Sequence, residues 1–235
     1  IDNDRGWNMA GVCAIWKDAT VSQKMPEGVE SKLDVKRLEG GSILVDWTLI
    51  VKNVKADAKL PPIPRVGVTF TIPKDFTDVK WYGEGPLENY SDRAMASIIR
   101  EWAAKIGVST GVVGADGEIG YLKNALPLNP DNYTEPGEQG YRTQCRWVEF
   151  LNKEGKKIKV TALNAPFGFN AWPYTQEDLE KAKHQRDLKA RDEITVNIDA
   201  AQMGVGGDNS WRARPHDDDM LGEGTYNLQF IVEGL

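Results

Sequence analysis

The chain has 235 residues and a formal net charge of −6, from 29 Lys and Arg against 35 Asp and Glu. This charge would on average repel a nucleic acid, whereas a neutral sugar is indifferent to its sign. The longest apolar runs, such as Ile43 to Val45 and Leu49 to Val51, fall far short of the roughly 20 residues that a membrane-spanning helix needs. We therefore expect neither nucleic acid nor a membrane among the partners.

Length and cysteine usage favour one independently folded unit. All-β chains of this length commonly form a single domain, so we expect one domain over residues 1–235. Cys13 and Cys145 are too few for a disulfide framework. A single bridge between them and two buried free thiols are both compatible with the sequence, and the second is the commoner arrangement.

Five segments alternate apolar and polar residues with a period of two, which is typical of half-buried strands. In chain order they are residues 43–51, 66–72, 157–161, 194–198 and 226–232. Clusters of Gly, Asn, Asp and Pro separate them, and Leu60 to Pro64 forms a rigid lead-in to the second strand. Many short strands with turn signals between them predict an all-β, antiparallel sandwich.

One interval near the middle of the chain has helical spacing instead. After Asp92, the apolar residues Met95, Ile98, Ile99 and Trp102 follow one another at steps of three or four. This spacing predicts a helix of about three turns with Trp102 facing the core.

A second helix is predicted at Thr175. Thr175 and Asp178 resemble a capping box, and the apolar residues Leu179 and Ala182 follow it beside charged neighbours. A short surface helix is therefore expected here. Between the two predicted helices, the interval from Ala103 to Pro136 is rich in Gly and Pro and is predicted to be a long loop.

The segment Met203 to Trp211 reads Met-Gly-Val-Gly-Gly-Asp-Asn-Ser-Trp. Its glycines permit close approach of the backbone to a ligand, and Asp208 and Asn209 offer acceptors and donors for hydroxyl groups. Trp211 adds a flat apolar face with a polar edge, which suits a pyranose ring. The alternative is an ordinary turn with Trp211 folded inward as part of the core.

Several segments, in order, resemble the C-terminal region of the large glycoside hydrolase family 2 β-galactosidases. They are Asp2 to Gly6, the Trp16-Lys17 pair, Trp81 to Arg93, Gly140 to Thr143 with Arg146-Trp147, and Asn197 to Asp199 followed by Met203 to Trp211. The run Trp-Tyr-Gly-Glu-Gly-Pro-Leu-Glu-Asn-Tyr-Ser-Asp-Arg is the longest and most specific of these. The resemblance spans the whole chain, and the interval from Ala103 to Pro136 is longer than the family's usual connection, as an inserted loop would be.

The resemblance implies a super-sandwich similar to the galactose mutarotase-like fold. It also implies a multidomain parent that hydrolyses terminal β-D-galactosides such as lactose with retention, with its catalytic glutamates in upstream domains. No catalytic residue and no metal or other cofactor is then expected in this chain, since the parent's Mg²⁺ and Na⁺ would be held elsewhere. The parent is expected to be a homo-oligomer.

The same resemblance implies that Trp211 reaches the sugar pocket and stacks against the leaving group. Asp208, Asn209, Arg212 and His216 are candidates for holding its loop or touching the sugar. Compartment and natural galactoside stay open at this point.

Other chemistries compete with this interpretation. Glu84 and Glu88 could form a glycosidase pair, but Glu88, Asn89, Asp92 and Arg93 are better placed to cap the following predicted helix and form ion pairs. The acidic run Asp217 to Asp219 lacks the spacing of a Ca²⁺ cage.

A mutarotase-like activity or a stand-alone sugar-binding module is the alternative function. Ring opening requires an acid and base pair, commonly a His with a carboxylate. His184 lies in a charged, solvated segment, so His216 is the better candidate.

Overall fold

The computed structural model describes residues 24–52, 60–106, 113–114, 137–209 and 213–234. Within these residues the chain forms twelve strands and one α-helix. The strands are β1 (Val29–Arg37), β2 (Ile43–Val51), β3 (Arg65–Pro73), β4 (Asp78–Gly85), β5 (Ile98–Lys105), β6 (Val113–Gly114), β7 (Arg142–Cys145), β8 (Trp147–Leu151), β9 (Lys157–Ala162), β10 (Phe167–Trp172), β11 (Glu193–Gln202) and β12 (Gly224–Glu233). The helix is α1 (Gln176–Lys181), and short 3₁₀ turns cover Glu39–Gly41, Gln185–Asp187 and Asp217–Asp219.

The strands form two antiparallel sheets. The large sheet has eight strands in the order β1-β2-β12-β9-β8-β4-β5-β6, and the small sheet has four in the order β3-β11-β10-β7. Each of the five segments with a period of two is a strand, so the predicted all-β, antiparallel class is confirmed.

The core lies between the two sheets. On β4 every second residue from Val79 to Gly85 is buried, as expected when one face of a strand covers a core. Trp81 from this strand meets Phe169 of the small sheet edge-on, with ring centroids 5.9 Å apart. This contact between aromatic rings ties the large sheet to the small one, and large buried rings dominate the energetics of such cores.

The prediction of a helix after Asp92 is wrong. Residues 98–105 form strand β5, which pairs antiparallel with β4 and places Trp102 opposite Trp81. Of the apolar residues that suggested a helical stripe, only Trp102 is buried; Ile98 is 51% exposed and Met95 fully exposed. The spacing in one short window fits either period, and β-branched Ile98 and Ile99 favour a strand once β4 offers its edge.

The second predicted helix is confirmed, although it is shorter than its apolar pattern suggested. The Thr175 hydroxyl accepts from the Asp178 N–H at 3.1 Å, and the Asp178 carboxylate accepts from the Thr175 N–H at 2.8 Å. Leu179 is the buried residue of α1, and Ala182 already lies beyond its end with an extended backbone. The solvated position predicted for His184 is confirmed, but this residue precedes a 3₁₀ turn and does not belong to the helix.

The long loop predicted from Ala103 begins inside β5, which ends at Lys105. Most of the remaining interval to Pro136 lies outside the described residues, so its insertion stays a prediction.

Cys145 is a buried free thiol whose pKa is raised by burial, whereas Cys13 lies outside the described residues. Among the described residues no helix is long and apolar enough to cross a bilayer.

A buried polar network covers one face of the small sheet. The Thr69 hydroxyl donates to Asn197 at 2.6 Å, Asn197 donates to Asn170 at 2.6 Å, and Asn170 donates to Glu138 at 3.1 Å. Arg65 then donates to the same Glu138 oxygen. Because Asn197, Asn170 and Glu138 each find a partner along this chain of bonds, the sheet can bury these polar side chains on a face that would otherwise be costly to cover.

The network ends at Asp199. Its carboxyl oxygen lies 3.7 Å from Nε of Arg65, and it hydrogen-bonds with the Tyr141 hydroxyl. Burial raises the pKa of Asp199 to about 7, against the smaller opposing effects of Arg65 and Tyr141. Burial also raises the pKa of Tyr141 well above its ordinary range, and the neighbouring Asp199 raises it further.

Candidate functional site

The segment Met203 to Asn209 directly follows β11, which ends at Gln202, and belongs to the connection between β11 and β12. We call Met203 to Gly206 the loop base and Gly207 to Asn209 the loop tip. The base is buried and the tip exposed. The Met203 N–H donates to the Pro64 carbonyl and the Gly204 N–H to the Asp219 carbonyl, each at 2.9 Å. The base is therefore held from two sides by backbone hydrogen bonds.

Asp92 and Arg93 hold the loop base from a third side. One carboxylate oxygen of Asp92 accepts from the Val205 N–H at 3.0 Å, and the other accepts from the Gly206 N–H at 2.7 Å. The Arg93 guanidinium donates to the Gly206 carbonyl. Hydrogen bonds in which one partner is ionised are shorter and stronger than neutral ones, so this contact fixes the backbone firmly. We call it the Asp92-Arg93 clamp.

Two glycines make this approach possible. A Cβ on Gly204 would lie 2.7 Å from the carboxyl carbon of Asp92, where no methyl group fits. Gly206 has a φ of +59° and its Cβ would lie 2.6 Å from the Ala213 carbonyl oxygen. The glycines of this loop therefore serve the packing of the loop on its own domain.

The side chain of Val205 packs in an apolar cluster with Tyr90 and Tyr141. The two tyrosine rings are stacked with centroids 5.8 Å apart and an interplanar angle of 13°. Because the clamp holds the Val205 backbone and the cluster holds its side chain, the loop base is anchored by both polar and apolar contacts.

The segments 81–93 and 140–147, which lie far apart in the sequence, meet beneath the loop. The Asn89 side chain accepts from the Thr143 N–H at 2.7 Å, and the Asn89 N–H donates to the Tyr141 carbonyl at 2.9 Å. The Gly140 N–H donates to the Glu88 carboxylate at 2.8 Å, and the Thr143 hydroxyl donates to the Glu84 carboxylate at 2.7 Å. These bonds place Tyr90 and Asp92 where they reach the loop base.

Arg142 is the buried cation of this junction. Its guanidinium lies 5.3 Å from the centre of the Trp81 ring and donates to the Pro86 carbonyl at 3.0 Å. Burial lowers its pKa to about 10, and the negative charge of Glu88 opposes that shift. Arg142 thus binds the Gly85-Pro86 segment to β7 and has a structural role.

These contacts correct one expectation. Glu88, Asn89, Asp92 and Arg93 were expected to cap a helix, but β5 replaces that helix. They instead bind the 140–143 segment and the loop base. Local sequence could not show this because both partners are distant in the chain.

At the loop tip, the side chains of Asp208 and His216 form a hydrogen bond. Nε2 of His216 lies 2.6 Å from Oδ2 of Asp208. This hydrogen bond raises the pKa of His216, and the charge of Asp208 adds to the shift, followed by those of Asp219 and Asp217. Their side chains are 59% and 75% exposed for Asp208 and His216, so water screens the pair.

The structure thus brings two of the five predicted sugar-site residues together. Asn209 lies at the exposed tip, whereas Trp211 and Arg212 lie outside the described residues. The Asp2 to Gly6 segment and Trp16 also lie outside them. Sequence reasoning missed the clamp, although Asp92 and Arg93 were within the most specific segment of the resemblance.

Below the loop base lies a cleft of about 330 Å³. Its walls combine carboxylates (Glu84, Asp218, Asp219), amides (Gln144, Gln202), the Thr143 hydroxyl and the two stacked tyrosines. No group of three or more potential metal ligands occurs among the described residues, and Asp217 to Asp219 form a 3₁₀ turn whose last carbonyl accepts from Gly204.

Comparison with known proteins places these features in a family. A family model described as β-galactosidase small chain matches residues 1–110 and 118–232. The β-galactosidase of Halalkalibacterium halodurans is 29% identical over 99% of this chain and 23% of its own length. Those of Priestia megaterium and Streptococcus thermophilus are each 31% identical, over 92% and 100% of this chain and 20% and 23% of their own lengths. The chain thus spans about a fifth of the length of these relatives. It belongs to the β-galactosidase small-chain family.

Proposed function

We propose that this chain is the C-terminal domain of a retaining family 2 β-galactosidase and supplies one wall of the pocket for terminal β-D-galactosides such as lactose. The carrying observation is the rigid loop base, which fixes the start of the segment that contains Trp211. An anchored base with an exposed polar tip can present an aromatic residue to a neighbouring domain with little loss of entropy on binding. Family membership supports the galactoside as the ligand.

The bond-cleaving carboxylates belong, in this proposal, to upstream domains. A retaining glycosidase needs two carboxyl groups about 5 Å apart, free to flank the glycosidic bond. Glu84 and Glu88 instead accept hydrogen bonds from Thr143 and Gly140 within the junction under the loop. The chain alone would therefore be inactive, and the Mg²⁺ and Na⁺ of the parent would bind outside it.

The Asp208-His216 pair is the one observation that favours a mutarotase-like activity, since it joins a His to a carboxylate. Both side chains are more than half exposed, and neither lines the cleft under the loop. A sugar bound there would stay hydrated, while acid and base catalysis of ring opening is most effective in a site that excludes water. We therefore assign the pair to holding the loop tip.

Replacing Trp211 tests the proposed function in the full-length β-galactosidase that contains this chain. Trp211→Ala is expected to raise KM for lactose about two- to tenfold and to lower transfer of galactose to added acceptors, because a stacking contact is worth about 0.5–1.5 kcal/mol beyond area burial. Steady-state kinetics and product analysis measure both.

Trp211→Phe is the matched variant, because it keeps an aromatic face and should retain part of the effect. If Trp211→Ala leaves both KM and acceptor transfer unchanged, the domain only stabilises its parent and the proposed function is wrong.

A further inference from the structure

We infer that the cleft below the loop base is a binding site for a guanidinium group, and that its occupant is an arginine side chain from an upstream domain of the parent enzyme. This inference rests on the part of the proposed function that makes the chain one domain of a larger protein. It does not depend on Trp211. Its basis is the charge and the hydrogen-bonding capacity of the cleft walls.

The charged residues that line the cleft are all acidic. They are Glu84, Asp218 and Asp219, and none of the described residues around the cleft is Lys, Arg or His. Carboxylates that share one cleft repel one another, and a cation placed among them is attracted by all three. The cleft therefore rejects anions and favours a cation over a neutral sugar.

These carboxylates keep most of their acceptor capacity unused. Within the described residues, the side chains of Asp218 and Asp219 form no hydrogen bond and no ion pair. The charge of Asp219 acts on His216, but that ring is bonded to Asp208 and does not line the cleft. Glu84 accepts a hydrogen bond from Thr143, and a carboxylate can accept about four.

A buried amide adds another acceptor. Gln202 lines the same cleft, and its Oε1 atom is buried without a hydrogen-bond donor among the described residues. Buried polar atoms are nearly always hydrogen-bonded in folded proteins, so an orphaned acceptor on a cleft wall indicates a donor that enters from outside.

A guanidinium group matches this set of acceptors best. It has five N–H donors in a planar fork, no acceptor, and a charge that persists at any physiological pH. It also packs favourably against aromatic rings, and Tyr90 and Tyr141 supply two of them at the cleft wall. An ammonium group brings three donors and holds its water more strongly, so arginine is the better choice for a contact between domains.

The acceptors are held in place without the ligand. The Asp219 N–H donates to the His216 carbonyl, and the Asp219 carbonyl accepts from the Gly204 N–H, each at 2.9 Å, which fixes the acidic turn. The bond from Thr143 holds Glu84 at 2.7 Å. A site that is ordered beforehand loses less entropy on binding.

The size of the cleft limits the occupant to a small group. Its volume of about 330 Å³ lies at the lower end of the range for ligand pockets, about 300–1,000 Å³. A single side chain therefore suits it better than an extended segment. Because the chain spans about a fifth of the length of its relatives, the parent has other domains that can supply that side chain.

Titration of the 235-residue chain with ethylguanidinium, followed by heteronuclear NMR, tests the site itself. The side-chain amide signal of Gln202 should shift and saturate. Asp218→Asn/Asp219→Asn should weaken this binding about tenfold, because two partly exposed ion pairs are lost. Asp217→Asn is the matched control and should leave binding unchanged, since Asp217 belongs to the same acidic turn but does not line the cleft.

Galactose is the competing probe in the same titration. Saturable shifts of the Gln202 signal with galactose, and none with ethylguanidinium, would assign the cleft to a neutral sugar and overturn the inference. Unchanged binding of ethylguanidinium in the double variant would also overturn it, because the cation would then bind elsewhere.

Hydrogen exchange in the full-length enzyme identifies the source of the guanidinium. Peptides covering residues 200–202 and 217–221 should be better protected there than in the 235-residue chain alone. Asp218→Asn/Asp219→Asn should remove the extra protection, whereas Asp217→Asn should keep it. Equal protection in the chain and in the full-length enzyme would show that no upstream domain fills the cleft. An unchanged KM in Trp211→Ala would remove the proposed sugar contact but leave these results standing.

Discussion

Asp199 and Asp208 each lie beside a basic side chain, but they differ in their exposure to solvent. Asp199 is 1% exposed and lies 3.7 Å from Arg65, and burial raises its pKa to about 7 despite that cation. The Asp208 side chain is 59% exposed and lies 2.6 Å from His216, whose pKa it raises. At Asp199, loss of water outweighs the charge of Arg65; at His216, the hydrogen bond and the charge of Asp208 outweigh the loss of water. Burial therefore decides whether desolvation or the partner's charge shifts the pKa.

Breaking the buried network should have the largest effect on stability. Arg65→Ala leaves Glu138 and Asp199 buried without their cation, and we expect the free energy of unfolding to fall by about 3–5 kcal/mol. Urea unfolding of the chain, followed by circular dichroism, measures this. Lys74→Ala removes a solvent-exposed ion pair at the other end of the same strand and should change stability little. Equal midpoints for the two variants would contradict the role assigned to the network.

The titration of Asp199 should have the next largest effect on the stability of the folded chain. The folded chain retains a proton on Asp199 up to about pH 7, whereas the unfolded chain loses it near pH 4. The unfolded state therefore binds fewer protons in this window, so stability should fall as pH rises from about 4 to about 7, by at most about 1.4 kcal/mol per pH unit, and then level off.

Asp199→Asn is expected to remove this slope, as measured by urea unfolding at a series of pH values. Thr69→Val is the matched control, since it removes a network hydrogen bond without a titrating group and should lower the curve evenly. A slope that persists in Asp199→Asn would assign the titration to another group.

The smallest effect is expected at the loop tip. The raised pKa of His216 means that its bond with Asp208 is strongest while the imidazole is charged, and that it weakens as pH rises through the folded-state pKa, which lies above 6.5. Asp217 and Asp219 also favour the charged form. Protection of the 203–209 peptide against hydrogen exchange, corrected for the intrinsic rate, should therefore fall as pH rises through the folded-state pKa of His216.

His216→Gln should abolish that fall in protection. His184→Gln is the matched control, because His184 precedes a 3₁₀ turn far from the loop in sequence. A fall of equal size in His216→Gln would show that the pair does not hold the tip.

Sequence patterns predicted those strands and helices whose conformation is determined by residues close together in the chain. The alternation in residues 43–51 and 194–198 depends on one buried face, so the strands could be read without knowing their partners. The capping box at Thr175 was equally readable because both of its bonds join residues three apart. The prediction of a helix around Trp102 failed because pairing with the edge of β4, rather than local spacing, determines the conformation of this interval.

By itself, the sequence determined an all-β chain and, through its ordered motifs, the family to which it belongs. Only the tertiary structure decided what those motifs do. Asp92 and Val205 are more than a hundred residues apart, so no periodicity or spacing could show that a carboxylate in one motif binds two backbone N–H groups in another. Hydrogen bonds and burial depend on distance in space, and folding brings together groups whose separation along the chain carries no information about their contact.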